Sequence, residues 1–265
     1  AEIAQLFARA GVKVTIVSRR GLLPEAEPEI GKALTRYFTN EGIEVVSGIS
    51  YERIEADNGG IRLHFMANGK PAAITANRVL IATGRAANTE SLNLAFGGIG
   101  TNADNSIKVD PQMRTTRDGV YAAGDVTGRD EFVYMAAYGA KIAAKNAMNG
   151  NSLAYDNSIM PTVVFTDPQV ASVGLTEAEA RKRGIDIKTS ILTLDNVPRA
   201  LAARDTRGLI KLIAENKTGK LIGAHILAPE GSDSIQTAAM AIKAGMTYQD
   251  MASMIFPYLT TVEGL

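Results

Sequence analysis

The chain has 265 residues, with 28 Lys plus Arg against 28 Asp plus Glu, two histidines and no cysteine. That length allows roughly one to three packed units, and the even charge balance gives no electrostatic reason to expect nucleic acid or an anionic membrane as partner. Without cysteine, disulfides, thiol catalysis and Cys-ligated metals are excluded within these residues, and no apolar run approaches the roughly 20 residues of a membrane span.

The opening Ala1-Glu2-Ile3-Ala4 lacks a signal-peptide layout, so the cytoplasm is the expected compartment. The chain begins directly in a helical pattern, with Ile3, Leu6, Phe7 and Ala10 on one face and Gly11 as the stop. It ends at Val262-Glu263-Gly264-Leu265 without a polar tail, which reads as a piece of a longer polypeptide. The β-branched run Val12–Val17 predicts a buried strand. Residues 28–41 carry Ile30, Leu34 and Phe38 at helical spacing, and Ile43–Val46 predicts a second strand after Gly42. Helix, strand, helix, strand in short steps is the pattern of a parallel α/β sheet.

Residues 50–75 alternate in polarity around Asn58-Gly59-Gly60 and Asn68-Gly69, which predicts an antiparallel insertion with tight turns. Val79-Leu80-Ile81-Ala82 reads as a fully buried strand and Val120-Tyr121-Ala122 as a short one. A long helix is expected over 132–148, and Gly150–Ser158 reads as a polar linker. Beyond Met160 the texture is α+β. Strands are predicted near 161–165, 170–174, 187–194, 208–214 and 221–227, with a hairpin turn at Asn216–Gly219. Helices are predicted over 176–184, 230–244 and 247–254, the first opened by the capping box Thr176–Glu179.

Four places could carry chemistry. The residue after a strand like Val12–Val17 meets the adenine ribose in a dinucleotide fold. Ser18, Arg19 and Arg20 stand where an acid would favour NAD, and they suit the 2′-phosphate of NADP; two solvated loop arginines are the plain alternative. In Ala82-Thr83-Gly84-Arg85, a strand ending in small residues lets a backbone approach a ligand. Ala123-Gly124-Asp125 places one carboxylate ahead of a helix, either to accept from a polyol or simply to cap that helix. Tyr258 and Glu263 are polar tips in an apolar setting, and a core tyrosine is the plain reading there. His64 and His225 lie in strand-like runs without metal-ligand spacing and read as structural.

The order of these pieces, continued by Phe165-Thr166-Asp167-Pro168-Gln169-Val170-Ala171-Ser172-Val173-Gly174, resembles the family of glutathione reductase and dihydrolipoamide dehydrogenase over the whole chain. The resemblance implies an α/β fold: a partial dinucleotide-binding (Rossmann-like) domain and a partial FAD domain followed by an α+β dimerisation domain. Residues 1–88 are then NAD(P)H-binding, 89–155 a second segment of the FAD domain, and 156–265 the interface domain of a homodimer. It further implies FAD and NADPH as cofactors, with Ser18, Arg19 and Arg20 at the 2′-phosphate, and Gly84 on the strand returning to the flavin domain. Gly124 and Asp125 would be at the FAD ribityl chain, and Phe132 and Val133 against the flavin.

Within the family, Leu194–Ala202 and Phe256–Leu265 are similar to the mercuric reductase branch. Tyr258 stands where the disulfide reductases carry the His of a His–Glu acid–base pair, and Glu263 keeps the Glu position. A phenol with a pKa of about 10 is a poor base toward thiols at neutral pH, whereas passing soft Hg(II) between thiolates requires no imidazole. The resemblance therefore implies an enzyme that reduces Hg(II) to Hg(0), with Tyr258 beside the metal and Tyr258 and Glu263 as the catalytic pair. The alternatives are a related flavin-dependent reductase acting on another oxidant, or a non-catalytic dimerisation fragment. Ala87, in place of the usual Pro of the Arg-x-Pro-Asn motif, departs from the family pattern, and the family's redox cysteines lie outside these residues.

Overall fold

A computed structural model describes residues 1–57 and 59–265. In chain order the elements are α1 (Glu2–Arg9), β1 (Thr15–Ser18), α2 (Pro28–Asn40), β2 (Glu44–Ser47), β3 (Ile49–Asp57), β4 (Gly60–Ala67), β5 (Lys70–Ala76), α3 (Val133–Asn149), β6 (Thr162–Val164), β7 (Gln169–Gly174), α4 (Glu177–Lys182), β8 (Ile187–Thr193), α5 (Pro198–Ala203), β9 (Leu209–Glu215), β10 (Leu221–Ala228), α6 (Gly231–Lys243) and α7 (Tyr248–Ser253). They divide into two compact units, one made of residues 1–79 with 159–265 and the other of residues 80–158.

In the first unit, β1 and β2 pair in parallel, as the short helix–strand steps predict. Ile30, Leu34 and Phe38 of α2 are fully buried and pack with Ile43, Val170, Leu209 and Leu227. Burying side chains of this size contributes roughly 1.5–3 kcal/mol each. The expected insertion is the antiparallel sheet β3-β4-β5, and the Asn68-Gly69 turn joins β4 to β5. Asn58, expected in the preceding turn, lies outside the described residues. The five predicted strands beyond Met160 form one antiparallel sheet, in the order β6-β7-β10-β9-β8. Helix α6 packs on it through Ile235, Ala238 and Ala239. Both bonds of the Thr176–Glu179 capping box are present, and Thr247 and Asp250 make a second box at α7. Gly208 requires its residue type: its φ is +140°, and a Cβ there would lie 1.9 Å from the carbonyl of Leu227.

Helix α1 departs from its apolar pattern. Ile3, Leu6 and Phe7 are exposed, whereas Gln5 is 4% exposed. The Gln5 amide donates to Glu41 at 3.0 Å and to the Asp167 carbonyl at 2.8 Å, and accepts from the Asp167 amide at 2.8 Å. Arg9 and Arg207 both pair with Glu41 and Asp167, so polar bonds seat α1.

The second unit is built around α3, whose Ile142 and Ala143 pack with Ile107, Val109 and Met113. Two expected strands are absent. Val79–Ala82 is irregular, with Leu80 and Ile81 each 69% exposed, because β-propensity makes a strand only where a neighbour offers its ladder. Tyr121 forms a single bridge to Arg114, too little pairing for the strand expected at 120–122. The 150–158 segment has no regular structure but is anchored: Asn146 bonds both the amide and the carbonyl of Leu153, and the Tyr155 amide donates to the Pro111 carbonyl at 2.7 Å. No helix among the described residues is long and apolar enough to cross a membrane.

Candidate cofactor and interface sites

The turn after β1 is held by its own groups. The Ser18 hydroxyl donates to the carbonyl of Arg20 and, at 3.3 Å, to that of Gly21. Arg20 pairs with Glu25 at 2.6 Å, both side chains well exposed. Arg19 is exposed and makes no ion pair or hydrogen bond among the described residues. Of the three residues singled out in the sequence, Arg19 is therefore the one whose guanidinium is free to meet an anion. Ser18 shapes the turn, and Arg20 already has a carboxylate.

In the second unit, an open cleft of about 450 Å³ is lined by Arg85–Asn88, Asp125, Val126 and Glu131. It brings the residues after Gly84 together with Asp125, although they are far apart in sequence. Gly84 is exposed with a φ of +128°. Gly124 is required on two counts: its φ is +81°, and a Cβ would press to 3.2 Å from that of Ala136 on α3. Asp125 opens a short 3-10 turn to Thr127 and does not cap α3, whose N-cap is Phe132. The capping alternative is thus overturned, because six residues separate Asp125 from the cap. The Asp125 carboxylate is left exposed, 3.6 Å from Arg85, and Arg85 also donates to the Glu131 carbonyl at 2.9 Å. A carboxylate with open lone pairs, flanked by a cation and a glycine, fits a polyol hydroxyl. Phe132 and Val133 follow the lining residue Glu131. The Phe132 ring stacks on Tyr134 at 5.3 Å, and Val133 is 85% exposed.

Tyr258 is 74% exposed, so the core-tyrosine reading is also overturned: the ring stands on the turn Pro257–Thr260, closed by the Thr260 hydroxyl on the Pro257 carbonyl at 2.7 Å. Glu263 sits in the last 3-10 turn, and its Oε1 is buried with no hydrogen-bond partner among the described residues. The two residues are not hydrogen-bonded to each other.

Sequence reading missed the charged cluster at Lys211. Its ammonium, 1% exposed, bonds Glu27 at 2.7 Å, Glu177 at 2.8 Å and Glu29 at 3.0 Å. Burial acts to lower the Lys211 pKa, but the bonds to Glu177, Glu27 and Glu29 outweigh it and hold it above the usual lysine value. The three carboxylates stand at metal-binding spacing, with the lysine itself supplying the cation. The only early signal was one charge inside the apolar run Leu209-Ile210-Lys211-Leu212-Ile213. Neither histidine belongs to a metal-ligand cluster among the described residues. His64 meets Glu55 at 2.6 Å, and the buried His225 meets the Leu175 carbonyl at 3.0 Å.

The sequence profile of the pyridine nucleotide-disulphide oxidoreductases matches residues 1–146, and that of the family's dimerisation domain matches residues 160–265. The chain belongs to the pyridine nucleotide-disulphide oxidoreductase family. Among curated members, it is 48% identical over 264 residues to the mercuric reductase of Acidithiobacillus ferrooxidans, a match covering all of this chain and 47% of the relative. It is 44% identical over 265 residues to the mercuric reductase of Bacillus cereus, covering 42% of that protein. The chain thus spans about half the length of the curated relatives it matches. Among solved structures, the Cu(II) complex of the HOCl-induced flavoprotein disulfide reductase of Escherichia coli superposes with a TM-score of 0.90 at 31% identity, covering 98% of this chain and 59% of that one. LpdA of Mycobacterium tuberculosis superposes with a TM-score of 0.88 at 25% identity, covering 99% of this chain and 57% of that one.

Proposed function

We propose that this chain is part of a cytoplasmic, homodimeric, NADPH- and FAD-dependent mercuric reductase, in which two electrons from NADPH convert Hg(II) to Hg(0), leaving NADP+ and a proton. The observation that carries the reading is Tyr258: a phenol presented to solvent where the disulfide reductases of the family carry an imidazole. Such a group donates a hydrogen bond beside a thiolate–metal complex without serving as a thiol base. Identity of 40–48% to mercuric reductases along the whole chain supports the same substrate.

On this reading, residues 1–88 handle NADPH, 89–155 the FAD, and 156–265 the dimer contact. Arg19 holds the 2′-phosphate as the free cation of its turn, with Ser18 keeping the turn in shape and Arg20, paired with Glu25, beside it. Asp125 accepts from the ribityl chain, Gly124 gives the clearance that a Cβ would remove, and Gly84 lets the strand end approach. Phe132 and Val133 form the apolar edge nearest the flavin. FAD supplies the hydride acceptor and passes the electron pair on; the chain's own residues bind, orient and exclude. Tyr258 and Glu263 complete the metal-handling site of the partner subunit, with Tyr258 nearest the ion. The buried, partnerless Oε1 of Glu263 is an acceptor suited to a donor supplied there.

The test uses the intact protein. NADPH oxidation that depends on Hg(II) and releases mercury vapour is expected. Vapour-free turnover with a disulfide substrate in its place would move the assignment to the related reductase.

A further inference from the structure

The hydroxyl of Tyr51 donates to the backbone carbonyl of Val17 at 2.8 Å. Val17 is the residue before Ser18 and Arg19, so β3 touches the strand end from which the nucleotide-facing turn departs. A bulge in β3 makes this possible. Tyr51 lies opposite Phe65 and Arg53 opposite His64, which leaves Glu52 without an opposite residue. Phe65 and His64 are consecutive and face opposite sides of β4. Tyr51 and Arg53, which a regular strand would place on one face, are therefore sent to opposite faces. Arg53 stays with Glu55 and His64, at 3.2 and 3.4 Å. Tyr51 takes the side of the buried Phe65 and reaches Val17.

We infer that Tyr51 is a positioning residue for the choice between NADPH and NADH. The turn is fastened at its far end by the Ser18 hydroxyl on the Arg20 and Gly21 carbonyls and by the Arg20–Glu25 pair. At its near end the backbone is fastened from outside by the Tyr51 hydroxyl. Arg19 lies between these two fastenings with no partner of its own, so the turn backbone sets where its guanidinium starts. Holding that backbone spares the ordering that binding a 2′-phosphate otherwise requires. NADH offers a hydroxyl there and gains little from the same fixation.

The inference rests on Arg19 as the reader of the phosphate, and the experiment separates the two. Tyr51→Phe removes the hydroxyl and keeps an aromatic ring opposite Phe65. In the full-length, FAD-loaded protein, NADP+ and NAD+ binding is measured by calorimetry, with the unfolding temperature recorded alongside and Arg19→Glu run in parallel. Tyr51→Phe is expected to weaken NADP+ roughly three- to tenfold, the effect of one lost hydrogen bond, and NAD+ by less than about twofold. Equal weakening of both, or of neither, overturns the role of Tyr51 while an intact Arg19→Glu discrimination keeps the phosphate reading. If Arg19→Glu itself spares NADP+, both fall.

Discussion

The ammonium nitrogen of Lys211 lies 2.7 Å from a carboxylate oxygen of Glu27, and each side chain is 1% exposed. One belongs to β9 and the other is the N-cap of α2, so a fully buried ion pair joins α2 to the sheet β6-β7-β10-β9-β8. Removing one member leaves the other charged and without its counterion in low dielectric, which costs about 3–5 kcal/mol. Lys211→Met should therefore lower the unfolding free energy, measured by denaturant titration at neutral pH, by that amount. Adding Glu27→Gln to the same chain should recover part of the loss, because the most buried of the three carboxylates around position 211 is then neutral. A double variant no more stable than Lys211→Met alone would mean that the pair contributes through packing.

His225 gives the fold an acid-sensitive point. Burial pushes its pKa below the ordinary 6.5, so the folded ring stays neutral at a pH where the unfolded chain takes up a proton. Proton uptake on unfolding makes stability full above pH 6.5 and progressively lower below it, at up to about 1.4 kcal/mol per pH unit. Glu41, held down by the hydrogen bond from Arg9, adds its own loss only below its ordinary 4.5. Urea titrations of His225→Gln should show a flatter pH dependence between 6.5 and 4.5. An unchanged slope would assign that region to other groups.

Arg19→Glu places a negative charge where the 2′-phosphate is proposed to sit. The KM for NADPH should rise at least about tenfold, the scale of a lost charge-assisted contact turned repulsive, while that for NADH changes little. Steady-state kinetics with both nucleotides decide this; a parallel rise in the two values would remove Arg19 from phosphate recognition.

Tyr258→Phe keeps the exposed ring and deletes the hydroxyl. Hg(II) turnover should slow, by roughly ten- to a hundredfold for a group acting on the metal complex, while NADPH still bleaches the flavin at the unaltered rate. Stopped-flow flavin reduction set beside mercury-vapour release separates the two steps. Undiminished release would leave Tyr258 without a part in metal handling.

Much of the antiparallel sheet was legible because its signals are local. Runs rich in apolar and β-branched residues mark the strands near 187–194 and 208–214, Asn216–Gly219 marks the hairpin, and Thr176 with Glu179 marks a helix start. Val79–Ala82 misled because it has the composition of a buried strand, whereas a neighbouring strand is no property of the run itself. The exposure of Tyr258 was equally beyond pattern, since an aromatic among apolar residues looks the same inside and outside. Lys211 and Glu27 stand 184 positions apart, and no periodicity connects them. At the candidate sites, residue types and order could be read in advance. The freedom of Arg19, the occupation of Arg20 by Glu25 and the reach of Tyr51 to Val17 depended on the folded backbone.

The first unit is discontinuous: the chain leaves it after residue 79 and returns at 159. Ile30, Leu34 and Phe38 rest on Val170, Leu209 and Leu227, so part of the floor beneath α2 is laid by β7, β9 and β10, far along the sequence. Residues 1–79 are therefore not a transplantable cassette. During synthesis, residues 1–79 hold only part of this core until the far strands emerge, and a stop codon before β10 removes Leu227 from it and leaves that part of the α2 face exposed to chaperones and proteases.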